Sequence, residues 1–261
     1  MLPVLALALL SPGTTAFAQS RQPDALYVTV EGASGPSVSG GGGEAEWLHW
    51  VSPRTSMTVG GTSASLGDLW WTYGTIGVFT RRDRVMLSGR VSLGSGRSGR
   101  GGLRYGRYMG SVTVPIARGL YVESESQYVR VAETATTVFK IGGLYTGARG
   151  VTLQTAYYVV QSGLVRGHSV LSRGGFSAGR FGVFGGVTHS TQAVQPTVVP
   201  ATVLSTSYSR QSFVGASVIA GRSQVIGVVE VVPQPEGRLG RVLLTWRLPL
   251  GQTPAEPAAA K

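Results

Sequence analysis

Two dipeptides place a histidine beside a serine, His168-Ser169 and His189-Ser190. A serine nucleophile needs a base within hydrogen-bonding reach and a third group to orient that base. Neighbouring residues on an extended strand face opposite sides of the sheet, so neither dipeptide supplies both groups without a local bulge. His189 shares its face with Thr191 instead, His49 is the third histidine, and no acidic orienter stands close by in sequence. No catalytic residue is assigned, and no enzyme activity is expected. The chain contains no cysteine, which removes disulfides, thiolate catalysis and cysteine metal sites. Histidines and carboxylates do not cluster with ligand spacing, so neither metal nor cofactor is expected. The closest carboxylates are Glu123 and Glu125 in YVESESQYV, which share a strand face with Gln127.

The remaining chemistry is cationic. The 23 basic residues outnumber 12 acidic ones, for a net charge of +11, and the only lysines are Lys140 and Lys261. The stretch GSGRSGRGGLRYGRY (94–108) has the composition of an RNA-binding segment. In place, it joins two alternating runs, so 94–102 reads as a hairpin loop and nucleic acid is not an expected partner. Arg107 fits awkwardly, because it shares a face with Leu103 and Met109.

The elements that position these charges are strands. Glycine is frequent, at 39 residues, and each one penalises a helix. Apolar and polar residues alternate in RVMLSGRVSL (84–93), where Val85, Leu87, Gly89, Val91 and Leu93 oppose Arg84, Met86, Ser88, Arg90 and Ser92. The same pattern orders RVLLTWRL (241–248) and VFKIGGLY (138–145), with turn-like breaks between such runs. Pattern counting predicts an antiparallel up-and-down meander of about 12 strands, within a range of about 10 to 14. Residues 1–18 read as a cleavable signal peptide with an Ala16-Phe17-Ala18 cleavage pattern. Residues 19–45 read as a Gly/Ser-rich lead-in in which only Leu26–Val30 looks like a strand, 46–250 as the strand-built body and 251–261 as a loose tail, with 192–200 a larger loop.

Alternation fits a water-soluble sandwich and a membrane barrel equally well. Three features favour the barrel. Many runs are about ten residues long, the length of a tilted membrane-crossing strand. Glycine and serine sit where a soluble core would need bulk, as in SAGRFGVFGGV. Aromatic residues gather near strand ends, and Trp47, Trp50, Trp70, Trp71, Tyr105, Tyr108 and Trp246 are read as interface girdles. On the signal, the Gly-rich meander and the last strand RVLLTWRL, the chain resembles the bacterial outer-membrane β-barrel proteins as a class. It departs from them in carrying a tail after its last strand.

That resemblance implies a transmembrane β-barrel in the outer membrane of a Gram-negative bacterium. Its implied partners are outer-membrane lipid, lipopolysaccharide and the barrel-assembly machinery. Arg84, Arg90, Lys140, Arg241 and Arg247 would face the lumen with Glu123, Glu125 and Glu230, because charges facing lipid are costly. An arginine-rich lumen would favour small anionic solutes, the reading adopted for function. A filled barrel binding a partner or surface polymer through its loops is the alternative, and a barrel lipid hydrolase a third.

Overall fold

A computed structural model describes residues 23–36, 38–99, 101–131, 133–163, 165–190, 209–234 and 237–250. The signal-peptide, C-terminal-tail and 192–200 loop expectations lie outside those residues. The chain forms β1 (Asp24–Ser34), β2 (Ser39–Ser52), β3 (Thr55–Leu66), β4 (Leu69–Arg82), β5 (Val85–Ser98), β6 (Gly101–Ala117) and β7 (Leu120–Val131). It continues through β8 (Thr134–Thr146), β9 (Val151–Ser162), β10 (Val165–Ala178), β11 (Phe181–Ser190), β12 (Ser209–Ala220), β13 (Ser223–Gln234) and β14 (Gly237–Leu250). Each strand pairs antiparallel with the next, and β1 pairs with β14, so one sheet closes on itself as a 14-strand barrel. A single closed sheet is not a sandwich, and its strand number lies at the top of the expected range.

Two expectations are corrected. The segment 19–45 is not a lead-in: β1 and the first half of β2 lie within it and complete the barrel. The run Gly40–Gly43 hides this, because without side chains there is no alternation to read, although the backbone ladder forms regardless. The segment 94–102 is not a loop either, because β5 and β6 stay paired out to Ser98↔Gly101. Glycine is present at Gly94 because a β-carbon there would lie 2.0 Å from the Thr72 carbonyl oxygen and 2.5 Å from the Tyr73 Cβ.

The two faces of the sheet differ in kind. Among the described residues, outward positions carry thirty large hydrophobic residues that remain exposed, and every strand contributes at least one. Inward positions carry most of the buried polar side chains, among them Glu46, Arg90, Arg107, Glu123, Lys140, Glu230 and Arg241. A water-soluble barrel has the opposite arrangement, and soluble monomers rarely expose a continuous apolar surface of this extent. One rim carries Asp24, Leu250 and six short turns. The other carries the remaining connections, including residues 191–208 between β11 and β12. Register shifts occur only beside the terminus-bearing rim, at Trp50/Ser52 and Pro115/Ala117, so inside and outside stay in phase along the middle of the barrel.

The crowding at Gly94 yields a prediction. Gly94→Val overpacks the wall between β4 and β5 and should destabilise the barrel by about 1–3 kcal/mol. A lower thermal unfolding midpoint in detergent than that of the unsubstituted chain checks this, whereas an open loop at 94–102 would leave the midpoint unchanged.

Candidate functional site: the inner wall

The inner wall holds three ionic groups, each built from strands that are close in the sheet. In the first, Glu44 and Glu46 of β2 face inward two residues apart. Arg90 of β5 reaches across β4 and β3 to pair with Glu46, and its Nη2 lies 3.6 Å from Glu44. The path is open because the residue directly opposite Arg90 is Gly77 and the residue opposite Glu46 is Gly60. Arg90 and Glu46 are 7% and 3% exposed, so the pair is fully desolvated from the barrel exterior.

The second group spans β6 to β10. Arg107 donates from Nη2 to Gln127 Oε1 at 2.6 Å. Glu123 Oε2 accepts from Lys140 Nζ at 3.1 Å and from Gln154 Nε2 at 2.6 Å. Lys140 is the direct cross-strand partner of Glu125, yet it turns to the diagonal Glu123. Arg173 of β10 faces inward within electrostatic range of Glu123. In the third group, Arg241 of β14 donates from Nη1 to Glu230 of β13 and from Nη2 to Glu31 of β1, both at 2.9 Å. Gln211 of β12 donates to Glu230 as well.

Of the residues expected to face the lumen, the structure places Arg90, Glu123, Glu125, Lys140, Glu230, Arg241 and Arg247 on the inner face. It places Arg84 elsewhere: this residue lies in the exposed turn between β4 and β5, one position before the ladder begins. The sequence reading did not place Glu31, Glu44, Glu46, Arg107 and Arg173 in the lumen, although it marked Arg107 as awkward. The first two lay in the supposed lead-in. The Glu44-x-Glu46 spacing and the alternation of Tyr105, Arg107 and Met109 are the signals that mark such residues. Arg107 is no longer awkward, because Leu103, Tyr105 and Met109 also face inward.

The inner wall is electroneutral among the described residues. Six cations (Arg90, Arg107, Lys140, Arg173, Arg241 and Arg247) stand against six carboxylates (Glu31, Glu44, Glu46, Glu123, Glu125 and Glu230). The expected arginine-rich lumen is therefore replaced by a balanced one. The excess positive charge sits at the rims. All six described turns at the terminus-bearing rim contain an exposed arginine: Arg54, Arg84, Arg118, Arg149, Arg180 and Arg222. Arg81 and Arg82 end β4 beside them. At the opposite rim, Arg97, Arg104, Arg130, Arg166, Arg210 and Arg238 are exposed near strand ends. The described carboxylates outside the lumen are Asp24, Asp68, Asp83 and Glu133.

Aromatic residues divide between the two faces. Trp47, Trp70 and Tyr108 face outward and are 43%, 46% and 48% exposed. Trp246 lies on the outer face, half-buried. Trp50, Trp71 and Tyr105, expected in the girdles, face inward instead. Trp71 is buried beside Tyr73, whose ring stacks on Tyr105 at 4.8 Å. In the doublet Trp70-Trp71, alternation forces one ring to each side. The histidine–serine dipeptides divide likewise. Ser169 and Ser190 hydrogen-bond to each other inside at 2.7 Å, while His168 lies outside against Tyr157, its Nδ1 2.6 Å from the tyrosine hydroxyl. His189 also lies on the outer face. His49 pairs with Asp24 at 2.8 Å, near the terminus-bearing rim.

No family model matches the chain, and no curated protein matches it. Solved structures do. The CymD monoaromatic hydrocarbon channel is similar with a TM-score of 0.66 at 8% identity, over 90% of this chain and 90% of that one. A bacterial polysaccharide outer membrane secretin is similar with a TM-score of 0.60 at 9% identity, over 88% of this chain and 99% of that one. The KdgM porin in complex with disordered oligogalacturonate is similar with a TM-score of 0.51 at 8% identity, over 86% of this chain and 99% of that one. The shared feature is the fold of bacterial outer-membrane β-barrels, and at these identities the likeness extends no further.

The first ionic group can be tested directly. Arg90→Met leaves Glu44 and Glu46 facing each other without their cation and should cost about 3–5 kcal/mol, measured by thermal or denaturant unfolding in detergent. Combining Arg90→Met with Glu46→Met should recover most of that loss, because the uncompensated charge goes with its partner.

Proposed function

We propose that the chain is an outer-membrane transport barrel that passes small solutes, with a preference for anions set at its mouths rather than along its wall. The observation that carries the transport reading is the inverted polarity of a closed 14-strand sheet, apolar outside and ionic inside. An apolar outer face on every strand matches hydrocarbon, and closure leaves no unpaired backbone edge to be desolvated there. Barrels of about 8 strands are filled by their own side chains, whereas those of about 16–18 leave an aqueous channel. Fourteen strands lie towards the open end of that range. The similar solved structures include a channel and a porin, which supports the same reading.

Preference for anions rests on the distribution of charge. A neutral wall gives no net attraction to either sign. The two rims together hold fourteen described arginines against four carboxylates, and a like-signed rim concentrates anions at the entrance. Fields from such exposed charges reach about 10 Å at 0.1 M salt and only about 3 Å at 1 M. A bias made at the mouths is therefore lost in strong salt, whereas one made by unpaired charges in a narrow lumen persists.

Planar-bilayer recordings distinguish these cases. In a KCl gradient centred near 0.1 M, the reversal potential should indicate anion preference, and near 1 M it should approach zero. Neutralising turn arginines through Arg54→Gln, Arg118→Gln and Arg180→Gln should reduce the low-salt preference without closing the channel. Cation preference at low salt would overturn the mouth argument. An absence of conductance at every voltage would leave a filled barrel that works through its loops.

A further inference from the structure

We infer that the outer flank formed by Arg97, Arg104 and Arg130 binds a phosphate-bearing lipid headgroup at the rim opposite the chain termini. This rests on the membrane-barrel reading above. The three residues lie on adjacent strands β5, β6 and β7, all on the apolar outer face and all exposed. Arg97 is opposite Gly102, and Arg104 is opposite Ser95, so the two arginines are diagonal neighbours. Arg130 is opposite Gly106, which makes it a diagonal neighbour of Arg104 in the same way. Diagonal positions in a sheet are about 7–8 Å apart, within joint reach of one polyanionic group for side chains as long as arginine.

The ground between the arginines is bare. A β-carbon at Gly102 would meet nothing within 4 Å, and one at Gly106 would touch only Leu93 and Tyr108, at 3.7 Å. Towards the middle of the barrel the flank is bounded by outward aromatics. Tyr108 packs against Tyr128 with ring centroids 6.2 Å apart, whereas Trp70, directly opposite Arg97, closes the flank sideways at the level of the arginines. Aromatic rings of this kind mark the level where hydrocarbon gives way to headgroups. The guanidinium groups just beyond them stand at headgroup depth and face sideways into the lipid rather than into the pore.

Two described carboxylates lie nearby, one engaged by a backbone amide and the other paired with Arg130 itself. Asp68 accepts a hydrogen bond from the Gly99 amide at 3.1 Å. Glu133 lies 3.6 Å from Arg130, with both side chains largely exposed. Arginine forms paired, charge-assisted hydrogen bonds with phosphate oxygens, so phosphate is the chemistry this flank fits. At the opposite rim six arginines occupy turns, and Arg81 and Arg82 end the single strand β4 rather than lining three adjacent strands. Ser190 and Ser209, the ends of β11 and β12 and the most widely separated in sequence of any two consecutive strands, lie on the same rim as the flank, as expected for the end that faces outward. The headgroup is accordingly that of an outer-leaflet phosphorylated glycolipid.

The test uses the folded full-length chain in detergent, titrated with diphosphoryl lipid A, with bound lipid counted by native mass spectrometry. The unsubstituted barrel should bind it, and R97Q/R104Q/R130Q should bind at least tenfold more weakly. R118Q/R149Q/R180Q removes the same charge from the terminus-bearing rim and should change binding less than twofold. Inorganic phosphate at equal phosphate concentration should not compete, which separates a lipid headgroup from a free phosphate site. Equal losses in the two triple variants, no loss in the first, or displacement by free phosphate would overturn the proposal. Flotation of each protein with phosphatidylcholine vesicles tests the membrane reading separately. A barrel that floats but does not bind lipid A defeats only the headgroup site, and one that does not float defeats both.

Discussion

The pairing of β1 with β14 is the contact on which the rest of the structure depends. It joins Asp24–Ser34 to Gly240–Leu250 over the full length of β1 and turns an open meander into a sheet without edges. An open edge beneath an apolar outer face would leave a row of amides and carbonyls without partners in hydrocarbon. Closure also fixes parity for the whole molecule. A strand that slipped by one residue would send its carboxylates into the apolar belt and its valines into the lumen. The first and last strands thus set inside and outside for the twelve between them.

Parity explains why so few charges can produce an ordered interior. Each inward ion pair joins strands that the ladder has already brought close, and Arg241 alone of these cations bridges the closure itself. It bridges Glu230 on the preceding strand to Glu31 on the first strand, a contact between residues 210 positions apart in sequence. Such buried pairs add little net stability, because desolvation offsets most of the attraction. Their effect is on arrangement: a slipped or unclosed sheet would bury charges without partners. Electroneutrality of the wall is consistent with this constraint, and the surplus arginines stand at the rims, where they are exposed.

The parts of the fold that were legible in the sequence are those where side chains reveal parity. RVMLSGRVSL and RVLLTWRL alternate cleanly, and the faces read from them match the structure from Val85 to Leu93 and from Arg241 to Leu248. Glycine removed the signal at Gly40–Gly43 and at Gly94–Gly102, where the strands are real but carry no pattern. Within 19–45 only Leu26–Val30 read as a strand, which concealed Glu31 and Glu44, and the first ionic group with them. A tryptophan or tyrosine gives no parity by itself, because its ring suits either face. Trp71 and Tyr105 were therefore assigned to the girdle, whereas their strands turn them into the lumen.

The segment GSGRSGRGGLRYGRY shows most clearly how position decides what an arginine does. Its composition is uniform, yet the ladder between β5 and β6 divides its residues between two environments. Arg97 and Arg104 face outward near a rim, where the only groups that can meet a guanidinium are water, headgroups and a few carboxylates. Arg107 lies three residues further along the same strand as Arg104 and faces inward, where Gln127 receives it. An odd separation of three residues is enough to move a cation from the lipid-facing wall to the lumen. Net charge describes neither role, and the excess of +11 is better understood as a pattern of rims around a balanced interior.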